Sequence, residues 1–313
     1  MGNFIAKHSP IFILALLCIV LAFASPLFRS PENMQNVMQR TAVVGILALG
    51  QLLVILTAGI DLSVGSVAAL GGVVGCIAMV NHGVPVLPGI FIGTGTGLVC
   101  GVVSGLLVAK GRIPPFIVTL GMMMAARGFA LIASGAVPIF NLPDSFSWLG
   151  GTRGWWLPTG LMFGLAAIIA FMLRYTRFGR SLYAVGGNNE AARLSGVPVD
   201  WIRIGAYTIS GACAGFGGMM MASRSGVASP TELQMYELNA VAACVIGGAS
   251  LAGGEGGAFV AIAGALIMTV LQNFCNLHDI NVHWQQILVG TLLVTLVFYD
   301  NHRKRKSGLM RQL

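Results

Sequence analysis

Few residues in this chain are equipped for chemistry. Asp61 stands between two apolar runs in the stretch from Gly59 to Ser66 (GIDLSVGS), and Arg127 is the one arginine that falls inside a long apolar segment. A carboxylate at the mouth of a helix can accept from backbone N–H groups that have no partner within the helix. Facing hydrocarbon, the same group is costly. Asp61 therefore reads as an amino-terminal cap with Ser63 assisting. Arg127 needs a carboxylate, backbone carbonyls or a water-filled cavity beside it. Otherwise it snorkels to the outer face, because its segment ends soon after, at Ser134-Gly135. Snorkelling is the first reading and a role along a pathway the second. Phe116, Thr119 and Met123 share this segment; an aromatic and a hydroxyl suit a polyhydroxylated ligand, but core packing is the first reading for each.

Other chemistries lack their residues. The chain has no GxxxxGK[ST] phosphate loop, so it does not bind ATP in the Walker manner. It has no nucleophile elbow and no two carboxylates in one predicted helix. Cys18, Cys76, Cys100, Cys213, Cys244 and Cys275 all lie in apolar segments without CxxC spacing, and the histidines show no HExxH pattern. The cysteines read as small packing residues, with neither metal nor disulfide. Nothing supports an enzyme.

The elements that carry these residues follow from composition. Of 313 residues 56% are hydrophobic and only 9% charged, with a mean hydropathy of +0.84. Soluble domains carry about 25% charged residues, so this chain is an all-α integral membrane protein surrounded by lipid. A net charge of +8 might suggest nucleic acid, but the cations sit in short loops and a tail, as the positive-inside rule expects. Nucleic acid is not a partner.

A bilayer span needs about 20 apolar residues. Segments 11–28, 41–58, 86–108, 115–134, 157–174, 203–222, 255–275 and 284–299 qualify, and two shorter or glycine-broken stretches, 63–80 and 239–252, cross or re-enter. Counting both gives ten helices; eight plus two re-entrant segments is the alternative. With ten, both chain ends lie in the cytoplasm. So do Lys110, Arg112, the cluster from Arg174 to Arg193 and the tail 301–313, whereas Arg29, Arg40, Arg153 and Arg224 lie outside. The first segment has the charge, apolar run and Ala22-Phe23-Ala24 of a secretory signal, but reads as the first spanning helix. Gly93, Gly97, Gly101 and Gly105 recur every four residues and lay a smooth stripe along one helix, and the pairs 71/75, 211/215 and 253/257 repeat the spacing. Residues 1–313 read as a single domain.

Between the sixth and seventh spans lies the polar interval 174–200, with Arg174, Arg177, Arg180 and Arg193. Within it Asn188 to Leu194 has the composition of a short helix. Asn188 or Asn189 caps it, Glu190 occupies its first turn and Arg193 its last, as the helix dipole prefers. Gly196 and Pro198 stop it. By its residues alone it is either a solvated connection or a surface made for another protein.

The stretch from Gly179 to Val197 (GRSLYAVGGNNEAARLSGV) resembles the cytoplasmic coupling loop of ribose-type sugar permeases, the membrane subunits of bacterial ATP-binding-cassette importers. GIDLSVGS at 59–66, KGRIPPFIVTLGMMMAARG at 110–128 and YELNAVAACVIGGASLAGGEGG at 236–257 extend the likeness over about residues 40–300. One departure is Glu255, where many such permeases carry a basic residue. The resemblance implies a multi-pass permease of the bacterial inner membrane that imports a monosaccharide or related neutral polyol. It implies docking of an ATPase subunit on Gly187, Asn188, Asn189, Glu190, Ala191, Ala192, Arg193, Leu194, Ser195 and Gly196. It implies a structural or gating importance for Asp61, Ser63 and Gly65. Phe116, Thr119, Met123 and Arg127 remain the pathway candidates. The expected partners are that ATPase, which holds ATP and Mg, a periplasmic substrate-binding protein and a second permease chain, identical or sister. A stand-alone transporter or channel is the rival, along with an importer for an autoinducer, nucleoside or branched-chain amino acid; a lone transporter usually keeps ionisable residues near the midplane, and here they are scarce.

Overall fold

A computed structural model describes residues 2–151 and 154–306, and every element in it is helical apart from one isolated bridge pairing Ile139 with Ala228. Arg153 and residues 307–313 of the expected basic tail lie outside the described residues. The helices are α1 (Gly2–Ala24), α2 (Pro31–Leu56), α3 (Val64–His82), α4 (Val86–Ala109), α5 (Pro115–Ser134), α6 (Ser147–Gly150), α7 (Trp156–Tyr175), α8 (Arg177–Gly187), α9 (Asn189–Leu194), α10 (Val199–Ser225), α11 (Tyr236–Ile246), α12 (Ala258–Leu277) and α13 (Val282–Lys306).

The core is built mainly by α2, α3, α10, α11 and α12. α2 starts on a Ser30 cap that accepts from the Asn33 N–H at 3.2 Å, with Pro31 preset for the first turn. From Thr41 to Leu56 it is buried all round, as expected of a helix apolar on every face. α10 runs beside it and packs on α4 through glycines. A Cβ on Gly97 would overlap the Gly211 carbonyl oxygen, and one on Gly101 would overlap that of Tyr207. The two backbones thus touch with no side chain between them, as the four-residue spacing predicts. Gly71 and Gly75 bring α3 close to Gly93 and Gly89 of α4, where added Cβ atoms would lie 2.7 and 2.8 Å from the carbonyl oxygens. The pair 253/257 does not belong to this pattern. It lies in the loop before α12, where Gly253 has a φ of +88°, a turn conformation rather than a stripe.

α2, α3, α4, α5, α7 and α12 are each long and apolar enough to cross a membrane. α4, α5 and α7 carry large apolar residues on their exposed faces as well, among them Phe91, Val99, Ile117, Phe129, Ile132, Ile168 and Phe171. Such helices have a lipid-facing side.

The two uncertain stretches differ from one another. The 63–80 stretch is continuous helix (α3). In 239–252 the helix ends at Ile246 and residues 247–257 form a loop. At about 1.5 Å per residue α11 covers about 16 Å, half of a hydrocarbon layer. It runs antiparallel to α12, with Asn239 accepting from Gln272 near one end and Gly247 packed against Val260 near the other. The polar interval also holds more helix than its composition suggests: α8 precedes the short α9.

The two ends of the bundle are closed differently. At one end α6 is held by Gly150 N–H donating to Ser223 Oγ (2.7 Å) and Gln39 to the Gly151 carbonyl (2.7 Å), and Arg224 of α10 donates to Asn36 Oδ1 of α2 (2.5 Å). The other end carries the α4–α5 turn, α8, α9 and the loop 247–257.

Candidate coupling element and the buried break beside it

α8 is amphipathic. Gly179, Leu182 and Val185 are buried, while Arg177 and Arg180 lie on the other face. Thr176 caps its start by accepting from the Gly179 N–H at 3.1 Å. Its far end is wedged into the bundle. A Cβ on Gly186 would overlap the Leu56 carbonyl oxygen at the end of α2 and meet the Gly254 nitrogen at 2.5 Å. Gly254 N–H itself donates to that Leu56 carbonyl at 3.1 Å, and the Tyr183 hydroxyl donates to the Gly256 carbonyl at 2.8 Å. α8 therefore touches both the last turn of α2 and the loop that leads into α12.

α9 follows directly. Asn188 is its cap, accepting from the Ala191 N–H at 2.9 Å. Gly196, with a φ of +79°, ends it, donating to the Arg193 carbonyl at 3.0 Å while Val197 donates to that of Ala192. Ala192 is the buried member; Gly187, Glu190, Ala191, Arg193, Ser195 and Gly196 are exposed, and Leu194 is 90% exposed. An apolar side chain so open on a polar helix is available to a partner. Arg193, one of the expected docking residues, donates to Asp200 Oδ1 of α10 at 3.0 Å. That bridge ties α9 to the start of a core helix.

Beside this element the chain between α2 and α3 is broken inside the bundle. Asp61, only 3% exposed, is not itself the helix cap, since Ser63 occupies that position. Its Oδ1 accepts from Ser63 N–H (2.9 Å) and Ser63 Oγ (2.6 Å), and its Oδ2 from Ser210 Oγ of α10 (3.1 Å). The Gln51 amide, oriented to suit both groups, donates to the Asp61 carbonyl at 3.0 Å and accepts from its N–H at 3.1 Å. The Thr119 hydroxyl donates to the Ile60 carbonyl at 3.2 Å. Irregular backbone within a membrane protein needs such partners, and side chains from α2, α5 and α10 supply them. Gly65 lets the Leu233 carbonyl approach α3; a Cβ there would lie 2.6 Å from it and would overlap the Glu237 carboxylate.

The pathway candidates on α5 differ in burial. Thr119 is fully buried and its hydroxyl is spent on Ile60 and Pro115, Met123 is half-buried, and Phe116 is 55% exposed. Arg127 does not snorkel. It donates to the carbonyls of Pro230 (2.6 Å) and Glu232 (2.9 Å), clamping the loop that precedes α11. Sequence reasoning named Asp61 and Ser63 but missed Gln51, Ser210, Asp200 and Tyr183. Gln51 alone announced itself, as an amide in the middle of an apolar run. Among the described residues no three metal-binding side chains gather.

An all-helical bundle with six helices long and apolar enough to cross a membrane is the architecture of a multi-pass membrane protein. Residues 33–297 match the family described as branched-chain amino acid transport system / permease component, and the chain belongs to it. It is similar to the ribose import permease protein RbsC of Escherichia coli (strain K12), 39% identical over 304 residues covering 95% of this chain and 94% of that one. RbsC of Bacillus subtilis (strain 168) is 35% identical over 301 residues, covering 95% and 93%. The xylose transport system permease protein XylH of Escherichia coli (strain K12) is 32% identical, covering 95% and 92%. No solved structure matches the chain.

Proposed function

We propose that this chain is the permease subunit of an ATP-binding-cassette importer for a monosaccharide or related neutral polyol, in the bacterial inner membrane. It forms one domain with ten passes, both ends cytoplasmic, and 174–200 is its coupling segment. α11 counts as a pass because the loops on either side of it complete the crossing. The side bearing α8 and α9 is cytoplasmic, in keeping with Lys110, Arg112, Arg174, Arg177 and Arg180 there. ATP and Mg belong to a separate ATPase, which docks on α9. A periplasmic binding protein delivers cargo at the other side, and a second permease chain completes the pathway.

The observation that carries this reading is the wedge of α8 between the Leu56 carbonyl and Gly254. A push on α9 meets the α2–α3 break and the 247–257 loop together, so an ATPase closing beneath it shifts the balance between two states of the bundle. The cargo follows from the sugars named for the similar permeases and from a cavity of about 130 Å³ at the opposite side. Arg40, Gln234, Tyr236, Asn239, Gln272 and Gln285 line it, a set rich in amides that pair with hydroxyl groups.

The test is co-purification with the ATPase of the same transport system, comparing wild type with a Glu190→Lys/Leu194→Glu variant. Both positions are exposed and outside the Arg193–Asp200 bridge, so the variant folds. Loss of ATPase from a folded variant supports the docking role, and undiminished association refutes it. Uptake of radiolabelled ribose, xylose and leucine by vesicles of the complete system separates sugar from amino acid cargo.

A further inference from the structure

Behind α9 lies a cavity of about 370 Å³. Arg112 from the α4–α5 turn, Asn189 and Arg193 from α9, and Asp200, Arg203 and Tyr207 from α10 all line it. Three guanidiniums thus face one carboxylate, and that carboxylate already pairs with Arg193. Among the described residues neither the Arg112 nor the Arg203 side chain has a hydrogen bond or ion pair, and Arg203 is half-buried.

A second feature points to a missing occupant. Tyr207 is 1% exposed, yet among the described residues its hydroxyl has no hydrogen-bond partner. That hydroxyl lies 2.7 Å from where a Cβ on Gly59, another lining residue, would stand. The Asn189 side-chain oxygen is likewise buried without a partner. Buried polar groups are normally satisfied, and here two unsatisfied ones border a cavity with an excess of guanidinium. Guanidinium forks match phosphate oxygens bidentately. A hydroxyl and an amide suit the rest of a hydroxylated phosphate ester, and the volume lies in the range of about 300–1,000 Å³ typical of small-molecule sites.

We propose that this cavity binds a phosphate group, either of a small phosphorylated polyol or of an anionic lipid headgroup, with Arg112 and Arg203 holding the phosphate and Tyr207 hydrogen-bonding to it. The inference needs only the cavity and not the docking role of α9, so the chain alone serves for its test.

The chain is placed in nanodiscs of phosphatidylcholine, and its thermal unfolding is followed with inorganic phosphate or glycerol phosphate against chloride at matched ionic strength. A second set of nanodiscs contains phosphatidylglycerol and no soluble phosphate. Arg112→Gln/Arg203→Gln removes two charge-assisted contacts and weakens binding at least about tenfold. Tyr207→Phe keeps the ring, so the packing survives, and weakens binding about fivefold. Stabilisation by the soluble phosphates, reduced in both variants, supports a free ligand. Stabilisation by phosphatidylglycerol alone, reduced in both variants, supports a lipid headgroup. No stabilisation by any probe, or equal stabilisation of wild type and Tyr207→Phe, overturns the proposal.

Discussion

Replacing Asp61 tests whether the break between α2 and α3 is held by its carboxylate. In wild type that carboxylate accepts three hydrogen bonds, from Ser63 N–H, Ser63 Oγ and Ser210 Oγ. Asp61→Ala removes both acceptor oxygens and all three hydrogen bonds. The Ser63 N–H is then buried without a partner, at a cost of about 1–3 kcal/mol. The two hydroxyls can rotate towards nearby carbonyls, so each loses only about 1 kcal/mol. The sum is about 3–5 kcal/mol. Asp61→Asn keeps Oδ1 for Ser63 and turns its amide to Ser210, which accepts instead, so it costs about 1 kcal/mol. Ser210→Ala costs about 1 kcal/mol in wild type and close to nothing once Asp61 is alanine, a coupling of about 1 kcal/mol. Unfolding in mixed micelles with increasing SDS measures all four corners of this cycle. If Asp61→Ala unfolds within about 1 kcal/mol of Asp61→Asn, or the two alanine substitutions are additive, the carboxylate does not hold the break.

Gly97→Val drives a side chain into the Gly211 backbone and costs about 3 kcal/mol or more, so it does not yield monodisperse protein; Gly95→Val, with nothing nearby, behaves as wild type on gel filtration. Arg127→Gln loses the Pro230 and Glu232 carbonyls and destabilises by about 2–4 kcal/mol, with new proteolysis between Gly226 and Met235; Arg127→Lys recovers part of it. Tyr183→Phe costs about 1 kcal/mol in stability. Its larger effect is on transport-coupled ATP hydrolysis, which falls because α8 no longer grips the 247–257 loop.

Much of the architecture was legible because membrane helices announce themselves by run length and close packing by glycine period. The stripe from Gly93 to Gly105 is a real seam because its helix is continuous. The 253/257 pair has the same spacing and misleads, since spacing alone does not say whether the chain there is helical. α8 was also legible in principle: Phe178, Leu182 and Val185 fall at the spacing of one helix face, but the glycines and arginines among them read as a loop. Site partners were hidden for another reason. Asp61 meets Ser210 across 149 positions of sequence, and Arg193 turns to Asp200 across the bend that follows α9. Periodicity relates residues within one helix and carries nothing about pairs like these.

The glycine seam between α4 and α10 leaves those two helices nothing to slide on. Side chains that interdigitate can change rotamers and let neighbouring helices shift, whereas backbone resting on backbone has no such play. α4 and α10 therefore travel as one plank. α9 is joined to the near end of that plank by the bridge between Arg193 and Asp200.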